Sequence, residues 1–210
     1  MFNIKIRGDL KDEEQLKEGE VLPENSIMLN EGNKITDIMF KGFALALPGM
    51  LVMIALSYFK CKNMSVKLSL SPTVILAAIS ILAAIKLLTY VHEFIHAIVY
   101  PLRSRKSIWK YKEQGVVLIY CPAKISRIRF IIMSAASSVI LGIVPFIYWM
   151  RYGQLLQLEW RIASLIVIWI MYMMSMGDFA NIYNVIKQTP GKAVVFNYGL
   201  HTYWMRKQKK

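Results

Sequence analysis

The run SPTVILAAISILAAIKLLTYVHEFIHAIVYP, from Ser71 to Pro101, decides how the rest of the chain is read. It stays apolar for longer than the roughly 20 residues that cross about 30 Å of hydrocarbon, which predicts a membrane-spanning helix. Its last part holds His92-Glu93-Phe94-Ile95-His96, an HExxH pattern. On a helix, residues four apart lie about 40° apart and about 6 Å along the axis, so both imidazoles can reach one metal ion. Glu93 lies one position round, placed to take a proton from water activated by that metal. The chain has 3 histidines, and two of them are spent here, in apolar sequence where an ionisable residue costs roughly 3 kcal/mol and marks a function or a partner. Because the run exceeds one span, its last two turns are expected in a protein-lined cavity near the membrane boundary. Pro101 ends the helix.

Composition agrees with a membrane protein. Of the 210 residues 56% are hydrophobic, and the mean hydropathy is +0.40, too apolar for a surface that must be polar everywhere. The net charge of +13 is no nucleic-acid footprint, because the basic residues flank apolar runs instead of forming one basic domain. Anionic lipid headgroups of the bilayer are the expected partner. The first residues, Met1 to Asp9, lack the apolar core of a signal peptide, so insertion through the chain's own helices, without cleavage, is expected. Cys61 and Cys121 have no metal spacing and fall on opposite faces of the topology given next, so no disulfide is expected.

The predicted fold is an all-α membrane protein of about four transmembrane helices, with a small β-hairpin between the second and third. A polar arm, residues 1–37, carries 9 acidic and 5 basic side chains. A four-helix domain, residues 38–188, follows, with apolar runs near 38–59, 71–100, 130–150 and 160–186. Pro48-Gly49 suggests a kink in the first run. Ser107-Ile108-Trp109-Lys110-Tyr111 and Val116-Val117-Leu118-Ile119-Tyr120 flank Gln114-Gly115 and predict the hairpin. Ser134, Ser138 and Gly142, four residues apart, form a small-residue stripe for helix packing, with no chemistry assigned. A basic tail, residues 189–210, holds a strand-like stretch from Ala193 to Tyr198. The arm, the loop after the second run and the tail with Lys187 hold 19 of the 26 basic residues against 5 on the other side, which makes their side cytoplasmic and both termini cytoplasmic.

Catalytic zinc keeps three protein ligands and an exchangeable position, so HExxH leaves one ligand to find. Beyond the arm and the motif, the acidic residues are Glu113, Glu159 and Asp178, and His201 is the remaining imidazole. Glu159 falls at the opposite membrane face. Asp178 is preferred, since it lies in an apolar helix, next to Gly177, at the same cytoplasmic end as the motif; His201 and Glu113 stay open as alternatives. Thr89 and Asn181 are candidate supporting residues, for Glu93 and for Asp178 or a substrate carbonyl. Lys86 lies on nearly the face of Glu93 but about 10 Å away along the axis, and predicts a hydrated cavity beneath the motif.

The segment HEFIHAIVYP, the stretch Tyr120-Cys121-Pro122-Ala123-Lys124-Ile125-Ser126 before an Arg-Phe-Ile-Ile helix start, and Gly177-Asp178 together resemble the zincin peptidase family of small bacterial membrane proteins. The likeness covers most of residues 40–205. A motif on one membrane helix and an aspartate on a later one is more distantly similar to the site-2 intramembrane metalloproteases, although their Asn-Pro and Leu-Asp-Gly signature is absent. The resemblance implies peptidase chemistry in a bacterial cytoplasmic membrane. It implies Zn2+, with His92 and His96 as ligands, Glu93 as acid/base, and Asp178 standing where the site-2 family has its aspartate.

The reading that follows is a membrane-embedded zinc metallopeptidase acting on a membrane or juxtamembrane protein near the cytoplasmic face, with the hairpin and the tail strand holding an extended substrate by strand addition. The alternative is a non-enzymatic membrane protein with a structural or regulatory metal site. A di-iron lipid oxygenase is disfavoured, because it needs many more histidines. Nothing in the sequence sets the oligomeric state.

Overall fold

The structure is a computed structural model, and it describes residues 4–32, 35–63, 71–111 and 116–207. Four helical stretches are long and apolar enough to cross a membrane: Thr36–Cys61, Pro72–Val99, Arg127–Leu155 and Leu158–Gln188. They coincide with the four apolar runs. Large apolar side chains such as Leu51, Leu82, Ile132 and Ile147 stand exposed along them, the surface expected where lipid replaces water as solvent.

The first spanning helix, α2 (Ile35–Cys61), follows a short helix α1 (Glu14–Lys17) and runs on through Pro48. The next, α3 (Pro72–Val99), starts on a Ser71 cap whose hydroxyl accepts from the Val74 N–H at 3.3 Å, with proline at the first turn, a sequence arrangement that pre-sets a helix start. At its other end, Arg129 Nε donates to the Val99 carbonyl at 2.7 Å, satisfying one of the carbonyls that a helix C-terminus leaves open. The third span is composite: α4 (Arg127–Ser138), a π-helical turn Val139–Ile143, and α5 (Val144–Tyr152). Of the small-residue stripe, Ser134 and Ser138 lie on α4 and Gly142 lies in that turn. A Cβ on Gly142 would meet Tyr172 Cβ at 3.0 Å, so glycine is what lets the neighbouring helix approach. The fourth span is two helices, α6 (Leu158–Met174) and α7 (Met176–Gln188), separated at Ser175. The break lies two residues before Gly177, and it turns α7 so that its first turn carries Asp178 inward.

The all-α expectation is corrected by two sheets. One holds the hairpin strands β3 (Lys106–Tyr111) and β4 (Val116–Tyr120), paired antiparallel, with β1 (Ile4–Asp9) added in parallel to give the order β1-β3-β4. The other has the order β2-β7-β6-β5, from β2 (Ile27–Met28), β5 (Ile125–Ser126), β6 (Ala193–Tyr198) and β7 (His201–Arg206). The N-terminal arm and the basic tail therefore contribute strands. Leu29, Tyr100, Cys121, Ile125, Phe130, Met133, Val185 and Val195 form one core where the second sheet meets the helix ends. This core anchors the end of α3 that carries the motif. Cys61 and Cys121 are both free.

Helices α2 and α7 pack so closely at Gly42 that a Cβ there would stand 1.9 Å from the Met176 carbonyl oxygen, a backbone atom that cannot rotate away. Gly42→Ala is therefore expected to cost about 1–3 kcal/mol, read as a lowered midpoint of thermal unfolding in detergent. It should also loosen α7 two residues from Asp178.

Candidate metal centre

The helix period brings His92 and His96 to one face of α3, and both are buried. Their Nε2 atoms lie 3.0 Å apart. The first turn of α7 brings Asp178 to them, with Oδ2 3.3 Å from His92 Nε2 and Oδ1 3.4 Å from His96 Nε2. Among the described residues these three form the one group of histidine, cysteine or acidic side chains close enough to share a metal ion, with their ligand atoms all within 4.8 Å of one another.

The donor set fits zinc. Two imidazole nitrogens and a carboxylate are ordinary zinc ligands, and ligands about 2.0–2.2 Å from a tetrahedral centre lie about 3.3–3.6 Å from one another. The separations of 3.0 Å between the imidazoles and of 3.3 and 3.4 Å to the two oxygens of Asp178 lie near that range. The surroundings orient the donors as metal ligands require. His96 Nδ1 lies 2.9 Å from the Met133 carbonyl oxygen, so it donates there and presents the lone pair of Nε2 to the centre. Ser137 Oγ donates to Asp178 Oδ2 at 2.8 Å. Met133 and Ser137 are four residues apart on α4, so a single face of that helix steadies two members of the group.

Glu93 points elsewhere, as its place one residue round the helix demands. Its Oε2 accepts the Ile119 N–H at 2.7 Å. Ile119 lies opposite Ile108 in the hairpin register, and its N–H points away from β3, out of the free edge of the sheet. The carboxylate is thus pinned between α3 and the edge strand β4, beside the histidines. A cavity of about 280 Å³ opens there, and His92, Glu93, His96, Asp178 and Asn181 are among its lining residues, with Val117 and Ile119 from β4. Ser134 also lines it, its hydroxyl buried without a hydrogen-bond partner. Tyr100 completes the wall near the sheet; its hydroxyl accepts from Asn197 Nδ2 at 3.3 Å. Burial pushes the Tyr100 phenol above its ordinary range, so it stays a neutral donor at physiological pH.

The other sequence candidates fall elsewhere. His201 lies on β7 with Nδ1 3.5 Å from Glu31 Oε2, apart from the group, while Glu113 lies outside the described residues. Thr89 Oγ1 donates to the Ile85 carbonyl of its own helix at 2.8 Å and does not support Glu93. Asn181 lines the cavity one turn after Asp178. Lys86 is exposed on the outside of α3, so the hydrated pocket expected beneath the motif is not where the lysine is. Sequence reading missed Met133, Ser137 and Ile119. Two of these act through backbone groups that any residue type supplies, and Ser137 adjoins Ser138 of a stripe read as packing alone.

Residues 85–194 match the family described as putative zincin peptidase, a stretch covering the motif, the hairpin, Asp178 and the start of β6. The chain belongs to this family. No curated protein and no solved structure matches it, so the likeness to site-2 proteases is not confirmed.

The Ser137 hydroxyl carries a further expectation. Ser137→Ala removes the hydrogen bond to the Asp178 carboxylate without touching the three converging donors, and partners of this kind are worth about 10–100-fold in metal affinity. A competition titration with a chromogenic chelator should show zinc binding weakened by that factor, with the fold intact by circular dichroism.

Proposed function

We propose that this protein is a multi-pass membrane zinc metallopeptidase that hydrolyses a membrane or juxtamembrane protein near the cytoplasmic face. The observation carrying the proposal is the convergence of His92, His96 and Asp178 on one point, with the Glu93 carboxylate fixed beside them against a strand edge. His92, His96 and Asp178 would hold the ion. When bound, zinc supplies a Lewis acid that acidifies water and polarises a carbonyl. Glu93 takes a proton from the attacking water and passes it to the leaving amine, so that water adds across the peptide bond and an acid and an amine leave. Tyr100, neutral and facing the same cavity, is placed to donate to the substrate carbonyl oxygen.

The edge of β4 supports a peptide as substrate. Val117 shares the outward-pointing edge with Ile119, so its N–H and C=O face the cavity side of the sheet, and an extended chain adding there would run past Glu93. The tail strand β6 is less suited, being paired on both sides at Val194 and Val195. The cytoplasmic orientation of the site rests on the distribution of basic residues, and the four spans support an integral membrane location. Chelation tests the proposal: purified protein should cleave a quenched fluorescent peptide mixture, lose that activity with 1,10-phenanthroline and regain it on zinc addition. Cleavage indifferent to chelator would refute the metal-dependent reading.

A further inference from the structure

We propose that the outer face of α3 docks a membrane-spanning helix of another protein, one that carries a carboxylate at mid-membrane depth to pair with Lys86. The inference rests on α3 spanning the bilayer and not on the peptidase reading.

Lys86 is exposed in the middle of an apolar stripe. Ile75, Ile79, Leu82, Leu87, Tyr90 and Ile98 are all exposed on α3, with Leu82 at 70% and Leu87 at 65%. At 1.5 Å per residue, Lys86 lies about 16 Å from Ile75 and about 10 Å from Glu93, where α3 meets strand β4 near the cytoplasmic boundary. Its four-carbon stem covers only part of either distance. A lysine left facing lipid at that depth costs roughly 3 kcal/mol, so a charge partner is expected there.

No such partner is supplied by the described residues. The lysines nearer the ends of α2 are treated differently: Lys41 Nζ donates to Asn184 Oδ1 at 3.1 Å and Lys60 Nζ to the Met150 carbonyl at 2.5 Å. Each is satisfied inside the protein, whereas Lys86 projects away from it. Charge complementarity therefore selects a carboxylate on an incoming helix. A second copy of this chain does not offer one. Asp37 and Glu159 lie in the first turns of α2 and α6, Glu93 and Asp178 line the metal cavity, and α3 against α3 would oppose Lys86 to Lys86.

The test uses the full chain in phosphatidylcholine vesicles and a leucine-based transmembrane peptide with one central aspartate, compared with the same peptide carrying leucine there. Association is read by energy transfer between labels on peptide and protein. Wild type is expected to bind the aspartate peptide at least ten-fold more tightly than the all-leucine peptide. Lys86→Leu should abolish that preference, and Lys86→Arg should retain it. A circular dichroism spectrum and thermal midpoint matching those of wild type show that Lys86→Leu is folded, since the residue faces outward. Equal binding of the two peptides by wild type, or a preference that survives in Lys86→Leu, overturns the proposal.

Discussion

Glu93→Gln is expected to lower peptide hydrolysis by about 10²–10⁴-fold, the range ascribed to a positioned general acid or base, while zinc stays bound. Glu93 is not one of the three converging donors, so its loss leaves them in place. Glutamine keeps the size of the side chain and can still accept the Ile119 N–H through its amide oxygen, so the contact between α3 and β4 survives. What disappears is the capacity to accept a proton. A metal site without an enzymatic role makes the opposite prediction, because it would tolerate Glu93→Gln with its biological function intact. The measurement is cleavage rate together with zinc content on one preparation, and undiminished cleavage in Glu93→Gln would remove Glu93 from the chemistry.

The second large effect is on the metal itself. His92→Ala, His96→Ala and Asp178→Ala each delete one of the three proposed ligands, and each should weaken zinc by more than the 10–100-fold expected for an outer partner such as Ser137. The three need not be equivalent. His96→Ala also removes the hydrogen bond to the Met133 carbonyl, and Asp178→Ala the one from Ser137, whose hydroxyl keeps Ser175 Oγ at 3.3 Å as a neighbour; each lost bond is worth about 0.5–1.5 kcal/mol. Thermal unfolding in detergent should therefore fall further for these two than for His92→Ala, whose Nδ1 has no partner to lose. His201→Ala should leave zinc binding unchanged.

The four long helices were legible because each is a long, predominantly apolar run, and the hairpin strands because β-branched and aromatic residues flank Gln114-Gly115. Asp178 was legible for a different reason. A single carboxylate in an apolar helix, at the depth of the motif, is expensive enough to need a purpose, and the positive-inside count put both at one end. The sheets were less visible. Pairing of β1 with β3 and of β2 with β7 joins residues far apart in sequence, and strands such as Ile27–Met28 and Ile125–Ser126 are too short to show a period. Lys86 misled for a related reason: periodicity places a residue on a helix face, but only the packing of α3 shows which face meets protein and which meets lipid.

Metal analysis of the purified full chain decides whether His92, His96 and Asp178 hold an ion. About one zinc per chain is expected in the wild type, as a three-ligand site requires, with its loss in His92→Ala, His96→Ala and Asp178→Ala alike. A wild type that carries no zinc, or an Asp178→Ala variant that keeps it, would contradict the proposed centre.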